Sequence, residues 1–384
     1  MFVYLDNSAT TKPRDEVIDE MNILLREDYG NPSSLHRMGL KVEKKIKRSR
    51  DIISKYLNVK SNEIYFTSGG TESNNIAIQG IIEANKNKGN HIITSKIEHP
   101  SVLNILKNYE QKGFNITYLD VDEYGIIDLN QFKDELSEDT ILVSLMMVNN
   151  EVGSIQPLQK IKEIINNNKS SAYFHVDGIQ ALGKIDFNIK KMGIDSFSFS
   201  AHKIHGPKGV GCLYIRDGLN IKSIIFGGEQ EKGIRSGTEN TPGIIGLSKA
   251  IDILYSEESF EKKYLDDLKS YFIENVKENV SDIKINTPYT NSAPHIVNIS
   301  FINTKGEVLL HFLESDDIYV STGSACSSKD DRGSYVLKSM GLKNLEIESA
   351  IRFSFSIYNT KEQIDYAIKK IKLRVEEIRD IMMR

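Results

Sequence analysis

The sequence predicts an α/β fold whose larger part is a mostly parallel, doubly wound sheet. Short apolar runs of strand length alternate with helix-period segments through the middle of the chain, the pattern that βαβ crossovers produce. Several of those runs end in polar or glycine-containing turns with chemically capable side chains, and open α/β sheets bind ligands at the carboxyl ends of their strands. After about residue 256 the pattern changes to charged helical segments around a single apolar run, which predicts a second, smaller α+β domain.

Strands are expected over residues 63–67, 90–95, 116–119, 141–148, 173–176, 196–200 and 211–215, with helices over 71–83 and 100–112. The tail offers a charged helix over 257–279, a strand over 296–301 and a long amphipathic helix over 360–384. The expected division is a large domain over 15–255 and a small domain made of 1–14 with 256–384. No internal repeat or low-complexity tract interrupts this order.

Composition narrows the function classes. Hydrophobic residues are 39% and charged residues 27% of the 384, a globular balance. A formal net charge of −4 leaves no electrostatic footprint for nucleic acid and no attraction to a membrane surface. No stretch approaches the roughly 20 apolar residues that span a bilayer, and the first residues lack a signal core. Cys212 and Cys326 are the only two cysteines, so a disulfide framework is not expected and a cytoplasmic, reducing setting is.

Six stretches carry possible chemistry. In Ser196-Phe197-Ser198-Phe199-Ser200-Ala201-His202-Lys203 the alternation is that of a strand, and Lys203 falls just past its end. A lysine there can form a Schiff base with a carbonyl cofactor, although most lysines of this chain are ordinary surface residues. Asp177 ends the run Tyr173-Phe174-His175-Val176, where a carboxylate can pair with a protonated pyridine nitrogen or merely cap a turn. Thr67-Ser68-Gly69-Gly70-Thr71-Glu72-Ser73-Asn74 follows a strand and opens a helix, a setting suited to an anion. It is neither a Walker loop nor a dinucleotide fingerprint. His99 follows another strand and can stack on a flat ring or move protons. Cys326 stands in the small, polar stretch Gly323-Ser324-Ala325-Cys326-Ser327-Ser328, unlike a core cysteine, and so is a candidate reactive thiol. Cys212, among Val210, Leu213 and Tyr214, reads as strand core. Arg352, in a strand-like run, can hold a carboxylate bidentately. No Cys/His cluster has zinc spacing, and no GxSxG elbow is present.

Taken together and in order, these stretches resemble the cysteine desulfurases of the NifS and IscS kind, aminotransferase class-V enzymes of the fold-type I pyridoxal-phosphate superfamily. The resemblance covers essentially the whole chain and is most specific at Tyr29-Gly30-Asn31-Pro32, Asn149-Asn150-Glu151, Ser198 to Gly209, Arg235-Ser236-Gly237-Thr238 and Gly323-Ser324-Ala325-Cys326. It implies a seven-stranded, mostly parallel sheet in the large domain and a small domain carrying Cys326. It further implies pyridoxal 5'-phosphate on Lys203, with Asp177 at the ring nitrogen, Gln180 at the phenolic oxygen, and Asn150 and His99 against the ring. Gly70, Thr71, Ser200 and His202 would hold the phosphate, completed by Thr238 from the second subunit of a homodimer. Arg352, with Asn31, would bind the carboxylate of L-cysteine. Cys326 would take the sulfur as a persulfide and pass it to an acceptor protein for iron–sulfur assembly or thiolation, where it can also contact a nascent cluster.

The chain departs from the usual pattern at Gly178 and Ile179, where Ala and Thr are commoner, and at Ala201, where Gly is. Two other readings stay open at this point. One is a selenocysteine lyase or another β-eliminating lyase on the same fold. The other is a non-catalytic sulfur-trafficking partner, which would need neither Lys203 nor Asp177.

Overall fold

The computed structural model describes residues 1–323 and 333–382. Cys326 lies outside the described residues. Among the described residues there are twelve strands: β1 (Val3–Tyr4), β2 (Ile64–Thr67), β3 (His91–Ser95), β4 (Asn115–Leu119), β5 (Thr140–Met146), β6 (Tyr173–Asp177), β7 (Ser196–Ser200), β8 (Gly211–Ile215), β9 (Ile283–Ile285), β10 (Ile296–Phe301), β11 (Ile318–Tyr319) and β12 (Ala350–Ser354).

Seven of them form one sheet in the order β2-β8-β7-β6-β5-β3-β4. Pairing is parallel throughout except at β8, which runs antiparallel to both its neighbours. This is the expected mostly parallel sheet, and its strands fall within a few residues of their expected positions. Every position of β3, β5, β7 and β8 is buried, because both faces of the sheet are covered. Ile93, Val143 and Cys212 point into one core, with the helices Asp15–Arg26 and Arg37–Leu57 on that side. Their neighbours Ile92, Leu142 and Leu213 point into the other core, against Ile76, Ile81 and Leu106. Burying each such side chain contributes about 1.5–3 kcal/mol, so a one-residue slip of register would exchange the two cores' side chains.

A second body of structure packs on a three-stranded antiparallel sheet, β12-β10-β9, and on the parallel pair β1-β11. Its core joins Leu5 near the N-terminus to Phe272, Phe301, Phe353 and Ile371. The helix expected over 360–384 is described as Lys361–Met382.

One helix differs from expectation. The segment expected to start at 257 is the second half of a single 39-residue helix, Thr241–Asn279. Its first half buries nearly every position from Gly243 to Ser248, whereas its second half buries Leu265, Leu268, Phe272 and Val276 at helical spacing. The change in pattern therefore marks a change of surroundings along one helix and not a chain break. Among the described residues, no helix is long and apolar enough to cross a membrane.

Candidate active site

Strand ends and two helix starts converge on a cavity of about 330 Å³. Asp177 arrives at the end of β6, Ser200 at the end of β7, and His202 and Lys203 in the single turn Ala201–Lys203 that follows. Gly70 and Thr71 begin the helix Gly70–Asn85, and His99 is the N-cap of the helix Pro100–Gln111. Arg352 enters from β12. These residues, with Asn150 and Gln180, line the cavity. Asn31 and Thr238 are exposed and stand outside the lining of this chain's cavity.

Asp177 is 5% exposed. Its Oδ1 accepts the Ile179 N–H at 3.0 Å and its Oδ2 accepts Asn74 Nδ2 at 2.8 Å. Burial raises its pKa, while the Ile179 N–H, His99, Asn74 and Lys203 pull it down. A buried carboxylate held this way favours a cation against it.

Asn74 orders the neighbouring imidazoles. Its Nδ2 donates to Asp177 and, at 2.9 Å, to Ser101 Oγ. Its Oδ1 must therefore accept, and it faces His175 Nε2 at 3.2 Å. His175 then carries its proton on Nε2 and accepts at Nδ1 from Ser196 Oγ, 2.8 Å away. Burial lowers the His175 pKa to about 3. His99 is fixed similarly, because its Nδ1 accepts the Ser101 N–H at 3.1 Å. Burial lowers its pKa, with Asp177 opposing and Lys203 assisting. His99 is thus a neutral ring with its N–H at Nε2.

Lys203 Nζ donates to the carbonyls of Ser8 and Ala9 at 2.5 and 2.8 Å. Ser8 O also accepts Gln180 Nε2 at 3.0 Å, and His295 Nε2 lies 3.2 Å from Gln180 Oε1. The Arg352 guanidinium is aimed by Asp6 Oδ1 at 2.7 Å and by the Asn150 carbonyl at 2.9 Å. His202 has its pKa lowered to about 4 by burial, then by Lys203 and Lys208, so its ring is neutral, and its Nδ1 lies 3.2 Å from Thr10 Oγ1.

The residues fit pyridoxal phosphate. Ser8 Oγ, Asn150 Oδ1 and Arg352 Nε are buried without a hydrogen-bond partner among the described residues, and all three belong to residues of the cavity wall. Gly69 has φ +151°, and an added Cβ there would come 3.8 Å from Ser200 Oγ. The absence of side chains at Gly69 and Gly70 leaves the start of a 16-residue helix open to an anion. Among the described residues, no cluster of metal-ligating side chains occurs.

Residue-by-residue reading of the sequence did not single out Asn74, Ser8, Glu98 or Glu151. Asn74 stands among the polar residues Glu72, Ser73 and Asn75, so its type alone gave no signal. Glu98 is fully buried and accepts from Ser95 Oγ at 2.7 Å and from the Met146 N–H at 2.9 Å. Burial pushes its pKa up to about 8.

The chain matches the aminotransferase class-V family over residues 3–367, and it belongs to that family of pyridoxal-phosphate enzymes. Its relatives narrow the class. It is 44% identical over 381 residues to the cysteine desulfurase IscS of Clostridium botulinum, covering 99% of this chain and 96% of that one. It is 45% identical over 379 residues to the cysteine desulfurase IscS of Dictyoglomus turgidum, with the same two coverages of 99% and 96%. Among solved structures, a NifS-like protein superimposes with a TM-score of 0.93 at 40% identity, over 98% of this chain and 100% of that one. Within its family the chain is a cysteine desulfurase, and neither the lyase reading nor the non-catalytic one finds support.

Proposed function

We propose that the cavity takes free L-cysteine and that Cys326 receives its sulfur. One observation carries this reading. Lys203, Asp177 and Arg352 meet in one cavity, and Gly323 and Tyr335, to either side of residues 324–332, line the same cavity. A solved relative titled SspA in complex with cysteine, 33% identical with a TM-score of 0.83 over 93% of this chain, supports cysteine as the substrate.

In this reading pyridoxal phosphate, when bound, supplies an electron sink for charge developing at the substrate Cα. Lys203 carries it, and its amine moves the α-proton once substrate is in place. Asp177, held by Asn74 and the Ile179 N–H, would face the protonated ring nitrogen, whose charge favours the carboxylate. Gln180 would donate to the phenolic oxygen, and Asn150 and His99 would stand beside the ring. The Gly70 N–H, Thr71, Ser200 and His202 would hold the phosphate. Arg352, oriented by Asp6, holds the substrate carboxylate. The Cys326 thiolate then bonds to the substrate sulfur as the carbon–sulfur bond breaks. The carbon keeps the electron pair and takes a proton, alanine leaves, and no outside oxidant is needed.

The same reading makes the enzyme a cytoplasmic homodimer with residues 15–255 as the cofactor domain. Thr238, exposed and outside its own cavity, would serve the neighbouring subunit's phosphate. Exposed Leu35 and Phe226 supply apolar surface for the contact. A sulfur-acceptor protein, an iron–sulfur scaffold or a thiolation enzyme, would take the persulfide onward.

Borohydride reduction followed by peptide mapping tests the cofactor assignment. The adduct is expected on Lys203, and an adduct on another lysine overturns it.

A further inference from the structure

Residues 324–332 carry Cys326, and the chain positions on both sides of them meet one buried side chain. Glu151 lies just beyond the end of β5 and is 3% exposed. Its Oε2 accepts the Ser334 hydroxyl at 2.5 Å. The same oxygen lies against Gly323, where an added Cβ would stand 2.9 Å from it. Gly323 also has φ +75°, so both its backbone and this close approach call for glycine.

Glu151 is itself held firmly. Its N–H and that of Val152 donate to Asn149 Oδ1 at 2.9 and 3.0 Å, and Asn298 Nδ2 donates to its carbonyl at 3.3 Å. The preceding carbonyl, of Asn150, accepts Arg352 Nη1 at 2.9 Å. The Arg352 backbone in turn exchanges hydrogen bonds with Ser321 at 2.7 and 3.2 Å. Arg352, Glu151 and both roots of the segment therefore share one frame. Burying an acid is costly, and here burial pushes its pKa up to about 7, with Ser334 and then Arg352 holding it down. Among the described residues, its side-chain hydrogen bond goes to Ser334, a segment root.

We propose that Glu151 is a positioning residue for sulfur transfer. It ties the Ser334 root of the Cys326 segment by a hydrogen bond and packs against the Gly323 root, beside the frame that holds the substrate carboxylate, and so sets the approach of the thiol to the substrate sulfur. The proposal rests on the reading of Cys326 as sulfur acceptor. It concerns the step in which the sulfur–sulfur bond forms, not cofactor or substrate binding.

The test uses the cofactor-loaded enzyme and two readouts. One is the absorbance change on adding L-cysteine, and the other is the rate at which the Cys326 peptide gains one sulfur by mass. Glu151→Ala and Ser334→Ala should each slow persulfide formation about 10²-fold, the scale of a misplacement near 1 Å. The cofactor band and the cysteine concentration that half-saturates the absorbance change should stay as in wild type for Ser334→Ala. Glu151→Gln keeps an oxygen for the Ser334 hydroxyl and should remain within about fivefold of wild type. The Glu151→Ala, Ser334→Ala double variant should be no slower than Glu151→Ala alone. Alanine variants that form persulfide at the wild-type rate overturn the proposal. So does a Gln variant as slow as Ala, or a Ser334→Ala variant that loses cofactor and persulfide together. A wild-type enzyme that puts no sulfur on Cys326 overturns both this proposal and the reading beneath it, and is recognised because the wild type fails too.

Discussion

Asp177 and Arg352 are charged groups taken out of water, and each is useful because its surroundings leave it one partner short. Among the described residues, Asp177 has two neutral donors and no bonded cation as hydrogen-bond partners. Asp177→Asn would keep the size and remove the charge. Breaking a buried pair at one partner costs about 3–5 kcal/mol, so alanine production should fall by roughly 10²–10⁴-fold, with weaker cofactor retention measured by visible absorbance during dialysis. Unchanged retention and rate would remove Asp177 from the ring nitrogen. Arg352 has its Nη atoms engaged and its Nε without a partner among the described residues. Arg352→Lys loses the planar fork, and KM for L-cysteine should rise about 10²-fold with the cofactor band unchanged. These residues were legible in the sequence because each stands at or beside a strand end or in a strand of its own. Asn74, Glu98 and Glu151 were not, because what sets them apart is burial, and burial depends on elements far away in sequence.

The sheet explains a departure that the sequence left bare. An added Cβ at Gly178 would stand 1.8 Å from Phe197 Cζ, and Phe197 is fully buried on β7, with its ring centroid 5.1 Å from that of Phe187. Glycine at 178 is thus matched to the phenylalanine across the strand. Gly178→Ala should destabilise by about 1–3 kcal/mol through overpacking, and Phe197→Leu in the same chain should restore part of the loss in a urea melt. Full stability of Gly178→Ala alone would show that Phe197 moves aside freely. The neutral His175 behind Asp177 adds a pH dependence. Its pKa falls from the ordinary 6.5 to about 3 on folding, so the unfolded chain takes the proton first. Its contribution is whole above pH 6.5 and is lost as pH falls towards 3. By pH 5 the loss is about 2 kcal/mol. His175→Gln should remove that part of the slope in unfolding followed by circular dichroism. At this scale the strands were readable from apolar runs between glycine-bearing turns. The helix Thr241–Asn279 was misjudged at its start, because its first half is buried almost all round and shows no amphipathic period to read.

At the scale of the whole molecule, the two bodies of structure share the cavity. β6, β7 and the start of the helix Gly70–Asn85 bring Asp177, Ser200, Gly70 and Thr71, while β12 and the N-terminal residues Ser8 and Ala9 bring Arg352 and the carbonyls that hold Lys203. If Thr238 serves the opposite site, only the dimer is complete, and a monomer in sedimentation that still turns over cysteine would contradict that. The central claim is that the sulfur passes through Cys326, and the most direct measurement is turnover by Cys326→Ala. None of the groups placed around the cofactor or the substrate carboxylate involves that thiol. The variant should therefore keep its visible band and still answer L-cysteine with an absorbance change. Its alanine production should fall by several orders of magnitude, as when a covalent nucleophile is removed, and the wild-type Cys326 peptide should gain one sulfur that a thiol reductant removes. Alanine made from cysteine by Cys326→Ala at near the wild-type rate would contradict the account.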